Sequence, residues 1–207
     1  MENYQEQYNQ ELHQQEIRSN LQTLKGFFWI LATILVSWVL TLLRIFIVDA
    51  GIFTMAVGVS AVIGIPIVYI YKKVDLSKQW VKYVFLTLIC MISAIFAAFL
   101  SFHAVLIYVL PLLLAVQYRQ KRSLWITYFV NDITMTISML AGFYHGICDL
   151  NLLLGSNHTR SWYLEQWSAG TLQFELEPNP VFVILFYGAL PRAVILLVFT
   201  LILRYIS

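Results

Sequence analysis

Residues 181–206 read VFVILFYGALPRAVILLVFTLILRYI and are almost wholly apolar, with Pro191 and Arg192 in the middle. About 20 apolar residues cross the hydrocarbon core of a bilayer as a helix, so this stretch predicts a transmembrane helix. Pro191 lacks a backbone donor and predicts a bend. A guanidinium at that depth costs about 3 kcal/mol to insert, and it therefore requires a partner or a wet cavity.

The composition of the whole chain points to the same class of protein. Of its 207 residues, 60% are hydrophobic and 12% are charged, and the mean hydropathy is +0.74. Soluble domains carry about 25% charged residues, which excludes that class. We expect one all-α polytopic membrane domain. No cleavable signal peptide is expected, because a polar segment precedes a first span too long for an h-region.

The order of polar and apolar segments predicts six transmembrane helices. Residues 1–25 predict a cytoplasmic amphipathic helix, from an apolar stripe at steps of mostly four, although a frayed polar tail is the alternative. A membrane domain over residues 26–207 follows, with spans at about residues 26–48, 52–71, 81–99, 102–118, 124–145 and 181–206. The apolar run over residues 81–118 is too long for one crossing, so it is split near residues 100–103. Polar residues 146–180 form the one larger outer segment.

The basic residues predict the orientation, because cytoplasmic loops are enriched in Lys and Arg. With the N-terminus inside, ten of the thirteen Lys and Arg lie on the cytoplasmic side: Arg18, Lys25, Lys72, Lys73, Lys78, Lys82, Arg119, Lys121, Arg122 and Arg204. Both termini are then cytoplasmic, and the expected location is the inner or plasma membrane. Arg44 falls near the outer end of the first span, where snorkelling to the interface would accommodate it.

Few polar residues fall within the predicted spans. Asn131 and Asp132 lie about two turns into the fifth span, and Arg192 lies about three turns into the sixth. Because the depths match, we predict that Asp132 and Arg192 pair, with Asn131 or a water completing the site beside Pro191. Two interpretations stay open: a structural ion pair that fixes how two helices pack, and a contact that switches.

The outer side offers a second set of candidate residues. His103 and His145 fall at outer helix ends, where a histidine contacts headgroups or loop carbonyls, or responds to pH or a ligand. Asp149, Asn151, Trp162 and Trp167 belong to the outer segment. That segment is either an interfacial belt, with a short amphipathic helix on the bilayer, or a lid over a ligand cavity.

Motifs of catalysis are absent from the sequence. It contains no CxxC, HExxH, GxSxG or phosphate-cradling glycine loop, and its four histidines and two cysteines are scattered. We therefore expect no enzyme activity, no cofactor and no metal site. The basic residues follow the loops of the predicted topology, so no nucleic-acid partner is expected.

Three stretches in order resemble a family of bacterial signalling proteins. They are SFHAVLIYVLPLLLAVQY at residues 101–118, GICDLNLLL at residues 146–154 and GALPR at residues 188–192. They are similar to the N-terminal membrane input regions of diguanylate cyclases and related signalling proteins from Clostridia-type bacteria. The resemblance implies a six-span sensor whose last helix continues into a cytoplasmic output domain. No GGDEF-type signature follows residue 192, so the output domain would act in cis in a longer protein or in trans.

The function expected from these observations is that of a sensory input module in the lipid bilayer. It would form a homodimer and couple an outer or intramembrane stimulus, such as an unknown small ligand, to movement of its C-terminal helix. The alternative is a small six-helix transporter, or a substrate-binding subunit of a vitamin-type uptake system. No three-plus-three repeat of the transporter kind is visible. An enzyme acting on lipid would need a paired nucleophile and base, which the sequence lacks.

Overall fold

A computed structural model describes residues 2–45, 50–100, 106–144, 161–162, 165–166 and 179–206. These ranges are helical and contain no strand. The helices are α1 (Glu2–Leu42), α2 (Ala50–Lys73), α3 (Gln79–Leu100), α4 (Leu110–Val116), α5 (Lys121–Tyr144) and α6 (Pro180–Ile206).

Within these ranges, five helices are long and apolar enough to cross a membrane. They are Gln10–Leu42 of α1, Phe53–Lys73 of α2, Gln79–Ala97 of α3, and the whole of α5 and α6. The chain is therefore a multi-pass membrane protein with an all-helical fold, as the hydropathy predicted. A sixth apolar helix, Leu106–Val116, is shorter than a span.

The fourth predicted span, residues 102–118, differs most from the structure. A 3₁₀ turn over residues 106–109 leads into α4, and residues 101–105 lie outside the described part. Pro111 falls in the first turn of α4, where its missing donor leaves no helical bond unmade. That position is typical of a helix start and is consistent with a helix that begins at Leu110.

The N-terminal region also differs from its prediction, because α1 is one helix of 41 residues. The cytoplasmic helix expected over residues 1–25 and the first span are therefore continuous. The helix ends at Leu42, earlier than residue 48. There the N–H of Ile45 donates to the Leu40 carbonyl at 2.9 Å, and that of Arg44 to the Thr41 carbonyl at 3.0 Å.

This pair of hydrogen bonds is a Schellman motif, which requires a left-handed residue after the helix. Arg44 takes that conformation with φ 58°. Arg44 is exposed in the turn that ends α1, just beyond the candidate span that ends at Leu42. Its snorkelling to the interface stays a prediction.

Helix α3 lies at the centre of the bundle and packs against α1, α2, α4 and α5. It runs in the same direction as α5. Lys82 near the start of α3 contacts Gln120 just before α5 at 2.8 Å, and Ser138 in the second half of α5 donates to the Ala94 carbonyl at 2.6 Å. The chain between α3 and α5 therefore returns to its starting level.

Helices α1 and α2, in contrast, run antiparallel. Trp38 near the end of α1 donates to Thr54 near the start of α2 at 2.9 Å. Further along, Gly64 lets Phe27 approach so closely that a Cβ there would lie 3.0 Å from the ring. The ends of α2, α4 and α6 and the starts of α3 and α5 thus lie together. We call this the basic end of the bundle, because it carries Lys72, Lys73, Lys78, Lys82, Arg119, Lys121, Arg122 and Arg204.

Candidate functional site

Helix α6 departs from regular α-helical geometry just before Pro191. Asn179 caps its start, since the side-chain oxygen accepts from the N–H of Val181 at 2.9 Å. Residues Ile184–Ala189 form a π-helical turn, and the N–H of Leu190 donates to Leu185, five residues earlier. Pro191 follows directly. A proline inside an α-helix lacks a donor and crowds the preceding turn, and the wider π turn relieves that crowding.

A cavity of about 290 Å³ lies between α5 and this part of α6. Its polar lining comes from Asp132 and Thr136 of α5. The side of α6 is apolar and includes Leu185, Phe186, Ala189, Leu190 and Ala193. Asp132 is half-buried, and its Oδ1 atom has no hydrogen-bond partner. An acidic residue with an unpartnered oxygen thus lines a mostly apolar cavity in the middle of a predicted span.

Tyr128 links the two helices next to this cavity. Its hydroxyl donates to the Ala193 carbonyl of α6 at 3.4 Å and lies near the Asp132 carboxylate, one turn further along α5. The contact is long for an O–H···O hydrogen bond and therefore weak. Helices α5 and α6 are consequently joined at this level by a contact that a small displacement would break.

Asn131 does not complete the Asp132 site. Its amide donates to the Tyr108 carbonyl at 2.7 Å, and the side chain is fully buried against the turn that precedes α4. Consecutive residues of a helix point about 100° apart, so Asn131 and Asp132 serve different neighbours. The Asn131 Oδ1 atom also lacks a hydrogen-bond partner.

The predicted Asp132–Arg192 ion pair is not formed. Arg192 Nη1 donates to the Gly188 carbonyl at 3.2 Å and lies 3.4 Å from the sulfur of Met139. The salt bridge that the described residues form joins Lys82 and Glu16 instead.

Helix direction explains this difference. Side chains on a helix lean toward its N-terminus. Since α5 and α6 are antiparallel, Asp132 leans toward Tyr128 while Arg192 leans the opposite way, toward Met139. Asp132 and Arg192 lie at a similar level of the facing helices, but their side chains point away from each other.

Sequence reasoning missed a second polar cluster at the basic end. Lys82 is 1% exposed, and its ammonium donates to Glu16 at 2.6 Å and to Gln120 at 2.8 Å. The Gln120 amide also donates to Glu16, at 3.1 Å. This Lys82 cluster joins α1, α3 and the turn before α5. The sequence signal for this cluster was a single lysine within the apolar start of α3. The prediction of orientation treated Lys82 only as a charge of a cytoplasmic loop.

A neighbouring set of hydrogen bonds extends the same connection. Asn20, fully buried on α1, donates to the Leu76 carbonyl at 2.7 Å and accepts from the Tyr118 hydroxyl at 2.7 Å. Ser19 donates to the Gln117 carbonyl at 3.1 Å. Burial raises the pKa of the Tyr118 hydroxyl, which stays a neutral donor. The first half of α1 is thereby hydrogen-bonded to both turns of the basic end, the one before α3 and the one before α5.

The predicted outer residues are mostly not covered by the structure. His103, His145, Asp149, Asn151 and Trp167 lie outside the described residues, as does most of the segment 146–180. Trp162 belongs to a short described helical piece and is half-buried. The predictions for this side stay predictions.

Comparison with known proteins adds no assignment. No family model, curated protein or solved structure matches the chain.

Proposed function

We propose that this chain is a membrane signal-transduction module, in which a stimulus at the α5–α6 cavity moves α6 relative to the rest of the bundle. One observation carries the proposal: the Asp132 Oδ1 atom has no hydrogen-bond partner, and Asp132 lines the cavity opposite the π-helical turn of α6. An unsatisfied buried acceptor costs about 1–3 kcal/mol, and more when charged. A donor that enters the cavity recovers that energy and so favours the arrangement that holds it.

The structure of α6 supports its role as the moving part. A π turn holds one residue more per turn than an α-helix does, and such turns are frequent at functional sites. Here it adjoins Pro191, which removes one further backbone hydrogen bond. Tyr187, within the π turn, is exposed to the surroundings. Small shifts of a helix against its neighbours are an established way to transmit a signal.

The proposal includes six passages through the plasma membrane, with both termini in the cytoplasm. Helices α1, α3 and α5 run one way, and α2 and α6 run the other. Residues 101–119 return the chain between α3 and α5, which α4 would do as a short fourth passage. The basic end carries most of the Lys and Arg residues and would face the cytoplasm.

A cytoplasmic output domain would receive the signal, in cis or in trans, as in the diguanylate cyclase input regions that the sequence resembles. The C-terminal end of α6 lies at the basic end, and so does the inner half of α1. An output domain attached after α6, or a second copy of the chain paired through α1, would therefore respond to a shift of α6.

A reporter diguanylate cyclase or histidine kinase fused after Ser207 tests the proposal. We expect Asp132→Asn to change the reporter output severalfold, because the amide brings its own donor into the cavity. Thr134→Val is the matched control, since the Thr134 hydroxyl bonds to the Val130 carbonyl of its own helix at 2.9 Å. Equal output from the wild type, Asp132→Asn and Arg192→Leu under every condition would refute the signalling role.

Transport is the second candidate, and one observation favours it. A cavity of about 370 Å³ lies between α1, α3 and α4, lined by Gly26, Thr33, Ser37 and Phe96 among others. Its volume is typical of sites for small molecules. Native mass spectrometry of the purified protein would reveal a bound small solute if the chain served an uptake system, and a Gly26→Leu variant would lose it.

A further inference from the structure

A long groove runs along the surface between α1 and α2 and encloses about 520 Å³. Its floor is formed by Phe27, Ile34 and Ser60, which are buried, and its edges by the exposed Leu35 and Ile65. On α2 the lining extends from Val57 to Lys73. At 1.5 Å per residue this is about 24 Å, which exceeds the roughly 15 Å of hydrocarbon in one leaflet.

The groove is apolar along most of its length and basic at one end. Lys72 and Lys73 line that end, which is the basic end of the bundle. Both side chains are exposed, and neither forms an ion pair with any side chain that the structure describes. The closest polar lining group is Tyr69, one turn earlier on α2.

We infer that this groove holds one anionic phospholipid, with an acyl chain against Phe27 and Ile34 and the headgroup phosphate between Lys72 and Lys73. The groove leads from the headgroup level into the apolar layer, as a phospholipid does. Paired ammonium groups beside a hydrophobic groove match a phosphate over an acyl chain, and basic pockets between membrane helices bind such headgroups. A soluble anion would need the two lysines alone and would leave the apolar groove unused.

The assignment goes beyond the proposed function, because no residue that lines the groove also lines the α5–α6 cavity. It identifies α1 and α2 as the part of the bundle that reads the composition of the surrounding leaflet. Loss of lipid binding would leave the role of Asp132 untouched, and the reverse also holds.

Native mass spectrometry of the full chain, titrated in detergent with phosphatidylglycerol or phosphatidylcholine, tests the site. We expect the wild type to prefer phosphatidylglycerol by about tenfold or more, since each basic residue near a headgroup contributes about a fivefold change. The double variant Lys72→Gln/Lys73→Gln should bind both lipids almost equally. Lys121→Gln/Arg122→Gln is the matched control: two exposed charges at the same end, outside the groove, whose loss should leave the preference unchanged.

Ala61→Trp tests the groove itself, because Ala61 lines it and is exposed. We expect this variant to lose both lipids, Ala61→Leu to lose them in part, and Val62→Trp, on the neighbouring lipid-facing position, to behave as the wild type.

Three results would overturn the assignment. The first is an unchanged preference in Lys72→Gln/Lys73→Gln, and the second is an equal loss in the Lys121→Gln/Arg122→Gln control, which would indicate diffuse surface charge. The third is a dimer that Ala61→Trp dissociates, which would make a second copy of the chain the occupant of the groove.

Discussion

Two polar sites inside the same apolar bundle differ in whether a buried charge has an opposite charge beside it. In the Lys82 cluster, a fully buried ammonium has both a carboxylate and an amide oxygen within hydrogen-bonding distance. In the α5–α6 cavity, a half-buried carboxylate has an oxygen without a partner and stands opposite a π-helical turn. The Lys82 cluster joins three segments of the chain, whereas the Asp132 site borders an open space between two helices.

The difference separates a structural from a functional use of charge within one fold. Buried charges are tolerated when pairing and hydrogen bonds replace the lost water. The Glu16 Oε2 atom of the Lys82 cluster has no hydrogen-bond partner, but the cluster contains an ion pair. The Asp132 site does not, so its polarity is retained without a gain in stability. A polar group kept at a net cost is a candidate for binding or switching.

Removal of the Lys82 ammonium gives the largest expected effect. Lys82→Met leaves Glu16 without its ion pair in a nearly buried position, and we expect a loss of about 3 kcal/mol in the free energy of unfolding. Unfolding in mixed micelles with increasing sodium dodecyl sulfate measures it. Lys121→Met, at an exposed position of the same end, should change stability by less than about 0.5 kcal/mol.

The double variant Glu16→Gln/Lys82→Met sharpens this result, because it removes both charges together. We expect it to be more stable than Lys82→Met alone. If Lys82→Met unfolded like the wild type, the Lys82 cluster would not stabilise the fold.

A much smaller effect is expected at the cavity. Asp132→Asn removes a charge whose Oδ1 atom has no partner, so the free energy of unfolding should change by less than about 1 kcal/mol or rise slightly. The same unfolding assay measures it, next to the Thr134→Val control. A loss as large as that of Lys82→Met would mean that Asp132 is structural, and it would remove the contrast between the sites.

The smallest effect concerns Asp75, an exposed carboxylate that serves as a surface reference for both sites. Its oxygen accepts from the N–H of Ser77 at 2.9 Å, and this hydrogen bond lowers the pKa of the Asp75 carboxyl. A lowered folded-state pKa stabilises the fold above the unfolded value of about 3.9, and this contribution is lost as the pH falls below it. Unfolding of the wild type and Asp75→Asn from pH 3 to 6 should differ slightly, and only above about pH 4.

Hydropathy predicted four of the five long helices to within about three residues at each end, since long apolar runs determine them directly, whereas the first helix ends before the predicted residue 48. Two features could not be predicted from hydropathy, for physical reasons. The ion pair of Asp132 and Arg192 was predicted from depth alone, whereas the direction in which each side chain leans depends on antiparallel packing. The Lys82 cluster depends on the rotation of α1 about its axis, which brings Glu16 and Asn20 toward α3, and no local pattern around Lys82 encodes that rotation.

The parallel arrangement of α3 and α5 has a consequence for biosynthesis. These two helices share the largest interface in the bundle, yet α5 is made only after the chain between them has turned back. During translation α3 must therefore wait beside the translocon, or in the lipid, with its α5-facing surface uncovered. That surface would meet lipid tails in the interval, and the pair could close only after α5 had been made to about Ser138.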